Sequence, residues 1–304
     1  TTGASATVLP GTASTFSYNK VTNTGLLQSD GAVFQGTKNY VEGSNVHHNF
    51  IYDTEKYAFR YDAPGGDASV AGSYGRMHHN IADNTNGLMI KGNNQIIAHN
   101  TVMNTINNRN DIIILSEDCS NTSTWLYNNL AKRIGSHRSS QLFSLSTDSP
   151  IPIATIGYIK DDNGTSGNSN DDFWRTCQDN DVSNGWTATV GNGSSQNNID
   201  QINISRTGLT YNSDIESLLN YNAADGKSEA DYVPTNNIIL VDQGISPTNS
   251  VSTGASTNDT LDNLVPNTNV GSNADIGAFE YGATAWSAGI DWTPKFRRAV
   301  WKTD

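Results

Sequence analysis

The sequence predicts an all-β chain wound as a parallel β-helix, on two observations: a recurring asparagine string and a second strand register that keeps step with it. Asn19-Lys20-Val21-Thr22-Asn23-Thr24 is matched by Asn49 to Thr54, Asn80 to Thr85 and Asn100 to Thr105. Each reads Asn, three residues, Asn (Asp53 once), Thr, and a degenerate copy starts at Asn129. The leading asparagines stand 30, 31, 20 and 29 residues apart. An apolar residue lies three positions before each (Phe16, Val46, Met77, Ile97, Leu126) and another two positions after it (Val21, Ile51, Ala82, Val102, Ala131). A unit of this length cannot close a core of its own and has to stack on its neighbours.

The second register begins shortly after each string. Ala32-Val33-Phe34-Gln35 lines up with Phe59-Arg60-Tyr61-Asp62, Leu88-Met89-Ile90-Lys91 and Ile112-Ile113-Ile114-Leu115. Alternation places Ala32, Phe34, Phe59, Tyr61, Leu88, Ile90, Ile112 and Ile114 inward, and Val33/Gln35, Arg60/Asp62, Met89/Lys91 and Ile113/Leu115 outward. Two short strands per coil are expected, with an asparagine column at one corner. Stacked asparagine side chains can hydrogen-bond along such a column and satisfy buried turn backbone. An antiparallel sandwich also shows short strands between polar turns, but it does not predict the same string at coil spacing.

Composition agrees with a solenoid, which lengthens by adding coils and remains one unit over 304 residues. Only 16% of residues are charged and 35% hydrophobic, yet twelve Tyr, eight Phe and six Trp argue for a packed interior rather than disorder. Asn and Gly are poor interior helix residues, so long helices are not expected; Ser213 to Asn222 is the one short helical window. The net charge of −12 disfavours nucleic acid as a partner, although a local cationic groove can still take an anionic substrate. No run of apolar residues is long enough to span a membrane, and a charged n-region followed by an apolar h-region is missing. Cys119 and Cys177 lie in polar, loop-like sequence and read either as a disulfide joining two loops of an extracellular protein or as two unrelated thiols. Asn-x-Ser/Thr sequons at Asn121, Asn163, Asn192, Asn203 and Asn258 are mostly chance matches in so Asn-rich a chain.

In chain order, residues 1–15 read as a lead-in or incomplete first coil, and 16–244 as the β-helix. The connection from Arg60 to Met77, with Ala63-Pro64-Gly65-Gly66-Asp67, is a long excursion, and such loops usually build a solenoid's functional wall. Pro150 to Lys160 is strand-like, and about 161–200 is an irregular insertion coloured by Asp171-Asp172-Phe173-Trp174-Arg175. Strand-like sequence returns at Ile202 to Ser205 and Ile238 to Val241. Residues 245–304 are expected to cover the end of the helix, with Asp275 to Trp292 as a cap over the last coil's open edge.

Four strings carry a family resemblance: Leu26 to Gly31, Tyr57 to Asp62, Gly87 to Gly92 and Asn110 to Leu115. They resemble successive coils of the right-handed parallel β-helix repeat proteins secreted by polysaccharide-degrading, often marine, bacteria. The ending is similar as well: Asp231-Tyr232-Val233-Pro234, Val241-Asp242-Gln243-Gly244, then Ala274 to Gly282. The resemblance covers residues 16–142 and 229–292 and leaves 143–228 unmatched. It implies the fold and a secreted, extracellular or cell-surface location. It does not choose a reaction, because this group includes glycoside hydrolases, polysaccharide lyases, epimerases and non-catalytic surface proteins.

The candidate residues come from the outward face of the second register. Gln35, Asp62, Lys91 and Leu115 share one row; neighbouring strands lie about 4.8 Å apart, so Asp62 and Lys91 can touch, with Arg60 alongside. The bland reading of such a row is a surface ion pair. Glu117 and Asp118 follow the same row, and Ser136-His137-Arg138-Ser139 lies one coil further on. His48, His79 and His99 precede the ladder asparagines and are expected to share a face with inward Val46, Met77 and Ile97, as core or corner histidines. His47 and His78 face outward on adjacent coils and can contact sugar, but two histidines make a weak zinc case. Trp125, Trp174, Tyr57 and Tyr74 are candidates for stacking on sugar rings.

The expected function is an extracellular protein that degrades an anionic or sulfated polysaccharide by glycoside hydrolysis. Asp62, Lys91, Glu117, Arg60 and His137 are the catalytic candidates; Arg138, Gln35, His47, His78 and Tyr74 are the substrate-binding ones. Hydrolysis needs two carboxyl groups about 5–9.5 Å apart, which Asp62 with Glu117 or Asp118 can supply. A lyase instead needs a cation to neutralise the uronate and a base for the C5 proton, roles open to Lys91, Arg60 and His137. A non-catalytic glycan-binding, adhesin or filament-forming surface protein is the alternative from another class. No metal set is expected and no cofactor is implied, with calcium the one ion left open.

Overall fold

The computed structural model describes residues 11–27, 30–62, 72–107, 109–114, 124–132, 134–135, 214–222, 224, 227–245 and 258–289, and the backbone alone of 6–8, 158–161, 173–176, 194–196 and 250–252. The chain winds as a right-handed parallel β-helix with very little helix. Each coil contributes three strands, not two. Sheet 1 stacks Ala6–Val8, Ala32–Thr37, Tyr57–Asp62, Leu88–Ile90, Ile112–Ile114 and Ile134–Gly135. Sheet 2 stacks Thr15–Ser17, Asn45–His47, Arg76–His78, Ile96–Ala98, Trp125–Tyr127 and Ser194–Gln196. Sheet 3 stacks Lys20–Thr22, Phe50–Tyr52, Ile81–Asp83, Thr101–Met103 and Leu130–Ala131.

The extra strand arises because the residue before each ladder asparagine turns the chain sharply. Tyr18, His48, His79, His99 and Asn128 all have φ near the left-handed region (55°, 54°, 51°, 50° and 53°). What reads as one run across the asparagine is therefore two strands meeting at a corner. A second left-handed column, Asn23, Asp53, Asn84 and Asn104, closes each sheet 3 strand. Asn and Asp tolerate this backbone region better than most residues, which explains the second Asn of the repeated string.

The asparagine column is an unbroken amide ladder. Asn49 donates its backbone N–H (3.1 Å) and Nδ2 (2.9 Å) to Asn80 Oδ1, and Asn80 does the same to Asn100 Oδ1 at 3.1 and 3.0 Å. Asn19 and Asn100 repeat the pattern toward Asn49 and Asn129. Each Nδ2 also reaches a main-chain carbonyl of the coil before: Phe16, Val46, Met77 and Ile97 receive Asn49, Asn80, Asn100 and Asn129. All backbone groups at this buried corner thus find partners, as burial requires.

Beside the ladder, Phe16, Val46, Met77, Ile97 and Leu126 pair in register along sheet 2 and fill the interior. Val21, Ile51, Ala82, Val102 and Ala131 do so along sheet 3. In sheet 1 the register departs from strict alternation. Ala32 pairs with Tyr57 and Phe34 with Phe59. Ala32 and Tyr57 cluster outside with Met89 and Ile113, whereas Val33, Ala58, Phe34 and Phe59 lie inside. The strand bends at Val33 and Ala58, so inward and outward sides exchange there.

Among the described residues, the C-terminal region runs along the sides of the solenoid. Outside sheet 3, Phe50, Ile81, Met103 and Leu130 pack under Ile215, Leu218, Leu219, Tyr232, Leu240, Ile276 and Phe279. Outside sheet 2, Ile96, Ala98 and Tyr127 pack under Leu261, Leu264 and Val265. Among the described residues, the covering layer already includes the one-turn helix Asp214–Ser217. Residues 274–289 form a strap that crosses the coils in reverse order. Gly277 N donates to Asn128 O (2.9 Å), Ala278 N to Thr101 Oγ1 (3.0 Å), and Gly289 N to Tyr18 O (2.9 Å).

Smaller expectations divide. Tyr158–Asp161 and Phe173–Thr176 form an antiparallel pair, and Ser194–Gln196 already rejoins sheet 2 beside Trp125–Tyr127, inside the expected insertion. Ile238 to Val241 is a turn rather than a strand, with Leu240 buried and Ile238 exposed. Ile202 to Ser205, Cys119 and Cys177 lie outside the described residues.

Replacing Asn80 by Ala removes its own bonds and leaves the Asn49 N–H without its acceptor, while Asn49 Nδ2 keeps the Phe16 and His47 carbonyls. At about 1–3 kcal/mol for each orphaned buried group, the variant is expected to lose about 2–5 kcal/mol in urea denaturation. A loss below about 1 kcal/mol would mean that the ladder is not what holds the corner.

Candidate functional site

The charged row on sheet 1 forms, and it is tighter than a surface pair. Met89 pairs with Arg60 and Ile90 with Tyr61, which brings Lys91 beside Asp62. Lys91 Nζ lies 3.5 Å from Asp62 Oδ1, and Arg60 Nη2 lies 2.5 Å from Asp62 Oδ2. Arg60 Nη1 donates to Asp30 Oδ1 at 3.0 Å. Gln35 stands opposite Arg60 and Thr37 opposite Asp62, two residues from the expected row, because the two strands pair at a constant offset from Ala32–Tyr57 onward. Gln35 still joins the cluster diagonally, donating from Nε2 to Asp62 Oδ2 at 3.3 Å.

Burial gives this cluster its character. The Lys91 side chain is 2% exposed, Asp62 9% and Arg60 11%, while Asp30 is 74% exposed. Asp62 is thus a carboxylate held between two cations and screened from water, and Asp30 is the outer end of the network. The Gly31 amide first, and the Arg60 guanidinium next, hold the Asp30 carboxyl below its ordinary range. Among the described residues, Arg60 Nε and Gln35 Oε1 are buried without a hydrogen-bond partner.

Further cations extend the cluster around Tyr57. Two guanidiniums lie over its ring, Arg60 at 5.6 Å and Arg109 at 5.1 Å from the centroid, and Arg109 Nη1 also donates to its hydroxyl. Lys56 Nζ donates to Asp30 O at 2.6 Å, and burial pulls its ammonium below the usual lysine value. Sequence reasoning missed Asp30, Lys56 and Arg109. No register pointed to Asp30: on this wall Arg60 stands opposite Gln35, and Asp30 reaches it from ahead of the strand.

The remaining candidates do not converge here. His47 and His78 lie on sheet 2, a different wall, stacked on each other at 5.1 Å with His78 Nε2 donating to Asn45 Oδ1 at 2.9 Å. Tyr74 is half-buried at a left-handed turn, and among the described residues no hydrogen bond or ring contact links it to Arg60, Asp62 or Lys91. Glu117, Asp118, His137 and Arg138 lie outside the described residues, as does the 63–71 part of the excursion.

His48, His79 and His99 depart from the inward placement. Their left-handed backbone turns them out of the interior, into a stack along the corner. Tyr18 to His48 is 5.0 Å, His48 to His79 5.1 Å and His79 to His99 4.7 Å, the two histidine pairs being parallel within 7° and 2°. Among the described residues no group of three or more His, Cys, Asp or Glu is placed to hold a metal ion.

A second polar node sits outside sheet 3. Asp83, fully buried, accepts from Tyr232 OH (2.6 Å) and Asn104 Nδ2 (2.9 Å) and lies 3.2 Å from Lys227 Nζ, which also pairs with Asp53 at 2.8 Å. Burial, and after it the Asp83 charge, pushes the Tyr232 hydroxyl far above its ordinary value. A phenol so held stays protonated and is a fixed donor. The node anchors the covering layer to the coils.

Comparisons with models of protein families, with curated proteins and with solved structures returned no match.

Removing Asp62 leaves Arg60 and Lys91 as buried charges without their counter-ion. Asp62→Ala is expected to cost about 3–5 kcal/mol in urea denaturation. Lys91→Met, which removes a charge and keeps the volume while Arg60 still pairs Asp62, is expected to cost less. Equal losses would show that packing rather than pairing sets the stability of this wall.

Proposed function

We propose that this β-helix is an extracellular carbohydrate-binding protein that holds an anionic polysaccharide against the outer face of sheet 1 and does not cleave it there. The observation that carries the reading is that Arg60 and Arg109 both lie over the Tyr57 ring, with buried Lys56 and Lys91 joined to Asp30 and Asp62 in the same network, in a chain with 18 Lys and Arg and a net charge of −12. A cationic patch on an acidic body focuses its field locally and attracts a polyanion that the rest of the surface repels. Guanidinium forks suit carboxylate and sulfate. Arg60 and Arg109 are half-buried and can reach a ligand; Lys91 is screened and acts through Asp62.

Binding is favoured over bond cleavage because the catalytic candidates within the described residues are already engaged. Asp62 is committed to Arg60 and Lys91, and Asp30 to Arg60. Hydrolysis needs one carboxyl free to give a proton and another free to attack or activate water. Elimination needs an unengaged cation over the uronate and a free base.

Affinity electrophoresis through gels containing sulfated, uronic-acid or neutral polysaccharides tests the reading. Retardation is expected in the anionic gels only, weakening with salt as exposed charge interactions are screened. Arg109→Ala is expected to weaken it about tenfold, roughly 1.4 kcal/mol. Retardation in neutral gels alone would overturn the charge argument. Release of reducing ends or of an ultraviolet-absorbing unsaturated product, lost in Lys91→Met, would replace binding by hydrolysis or by β-elimination respectively.

A further inference from the structure

The outer face of sheet 3 carries a lysine that touches more than its counter-ion. Lys132 follows Leu130 by two residues and so shares the outward side that the C-terminal layer covers. Its side chain is 11% exposed. Nζ donates to Asn104 Oδ1 at 2.9 Å and lies 3.4 Å from Glu216 Oε1, on the one-turn helix Asp214–Ser217. An amine, a carboxamide and a carboxylate thus meet from three places in the chain, Asn104 and Glu216 standing 28 and 84 residues from Lys132.

The orientation of the Asn104 amide is fixed by its neighbours. Nδ2 donates to Asp83 Oδ1 at 2.9 Å and to the Tyr221 hydroxyl at 3.4 Å, so the oxygen is the atom turned to Lys132. A C=O bond is about 1.2 Å long, which puts Asn104 Cγ within about 4 Å of Nζ. Asn104 holds this place through its left-handed backbone, φ 53°, at the corner that closes its strand. Lys227, in the same layer, is placed differently. Its Nζ meets the carboxylates of Asp53 and Asp83, whose charge resists a nucleophile as a neutral carboxamide does not.

We infer that Lys132 and Asn104 join in an isopeptide bond, formed by the folded chain itself with Glu216 as the base. A lysine attacks a carbonyl only as the free amine, and an adjacent base supplies that form. Glu216 takes one proton from the Lys132 ammonium. The freed lone pair forms the Nζ–Cγ bond, and the carbonyl electrons move onto Oδ1. A second proton passes from Nζ to Nδ2. The electrons on Oδ1 then return, the Cγ–Nδ2 bond breaks, and the nitrogen leaves as ammonia. Ammonia recovers the first proton from Glu216 and departs as ammonium, while Nζ keeps a single hydrogen. The charge that Nδ2 gains on the way faces Asp83, already its hydrogen-bond partner.

Burial drives this step. Holding amine and carboxamide together replaces an encounter between separate molecules. A neutral amide also costs less to bury than the ammonium it replaces. The product links two adjacent coils of sheet 3, those of Thr101–Met103 and Leu130–Ala131, by a covalent bond. Like a disulfide, such a link restricts the unfolded chain.

Mass spectrometry of the intact full chain, produced in a bacterial host and reduced, tests this. The folded protein is expected about 17 Da below its sequence mass, the loss of one ammonia. Trypsin does not cut after an acylated lysine, so residues 92–109 and 110–133 are expected as one branched peptide. Lys132→Arg keeps the charge and the donor but forms no such amide, and Glu216→Gln keeps the size and loses the base. Both variants are expected to fold and to show their full sequence mass. An Asn-Gly succinimide sheds ammonia too, so the fragment spectrum decides the site. Full sequence mass in the folded wild-type chain, ammonia lost at another residue, or the same loss in Lys132→Arg would each overturn the bond. Loss that persists in Glu216→Gln would overturn the assignment of the base.

Discussion

The amide ladder from Asn19 to Asn129 is the constraint on which the rest of the structure depends. Each rung gives two hydrogen bonds to the next side chain and one to a main-chain carbonyl of the coil before. Buried amide groups have no tolerable alternative to these partners, so the ladder admits no slip between coils. Once that corner is in register, Val46, Met77 and Ile97 stack inside, and Lys91 arrives beside Asp62 on the far wall. The tight ion cluster is thus a product of a hydrogen-bonded corner on another side of the coil.

The outer faces of the three sheets are treated differently. Sheets 2 and 3 carry apolar side chains outward and are covered by the C-terminal layer, pinned by the Asp83 node and by Lys20 against Glu229. Sheet 1 carries the cations. A covering layer over apolar sheet faces also removes surface that would otherwise invite association. Charge is scarce in this chain, and four cations, Lys56, Arg60, Lys91 and Arg109, meet Asp30, Asp62 and Tyr57 at the wall that the described C-terminal layer leaves alone.

Most of the fold was legible because a period survives noise: the ladder asparagines and their flanking apolar residues needed only counting. The third strand was hidden because a left-handed residue turns the chain without interrupting its pattern. His48 reads as one more member of an alternating run until its φ of 54° is known. The same turn sends His48, His79 and His99 outward and defeats any argument from parity. Asp62, Lys91 and Arg60 were found together because they share strands whose register the period sets. Gln35 was misplaced because the first two strands of sheet 1 pair two residues away from the alignment of their apolar runs, and Arg109 was missed because it reaches Tyr57 from a loop. The path of the C-terminal layer was not legible, since a weakly hydrophobic segment does not say which surface it covers.

Solenoids ordinarily have no reason to stop at a given number of coils, because each coil contacts only its neighbours. The strap changes that. It touches Asn128 at one end of its run and Tyr18 at the other, in a chain whose coils are spaced by the ordinary strand separation of about 4.8 Å. An added coil would lengthen the body by that distance and leave the strap's two anchor points out of reach of one another. The strap is thus a gauge of the stack, and it ties first and later coils into one cooperative unit, so that gain or loss of a single repeat, the easiest change for such a gene, is here the change least tolerated.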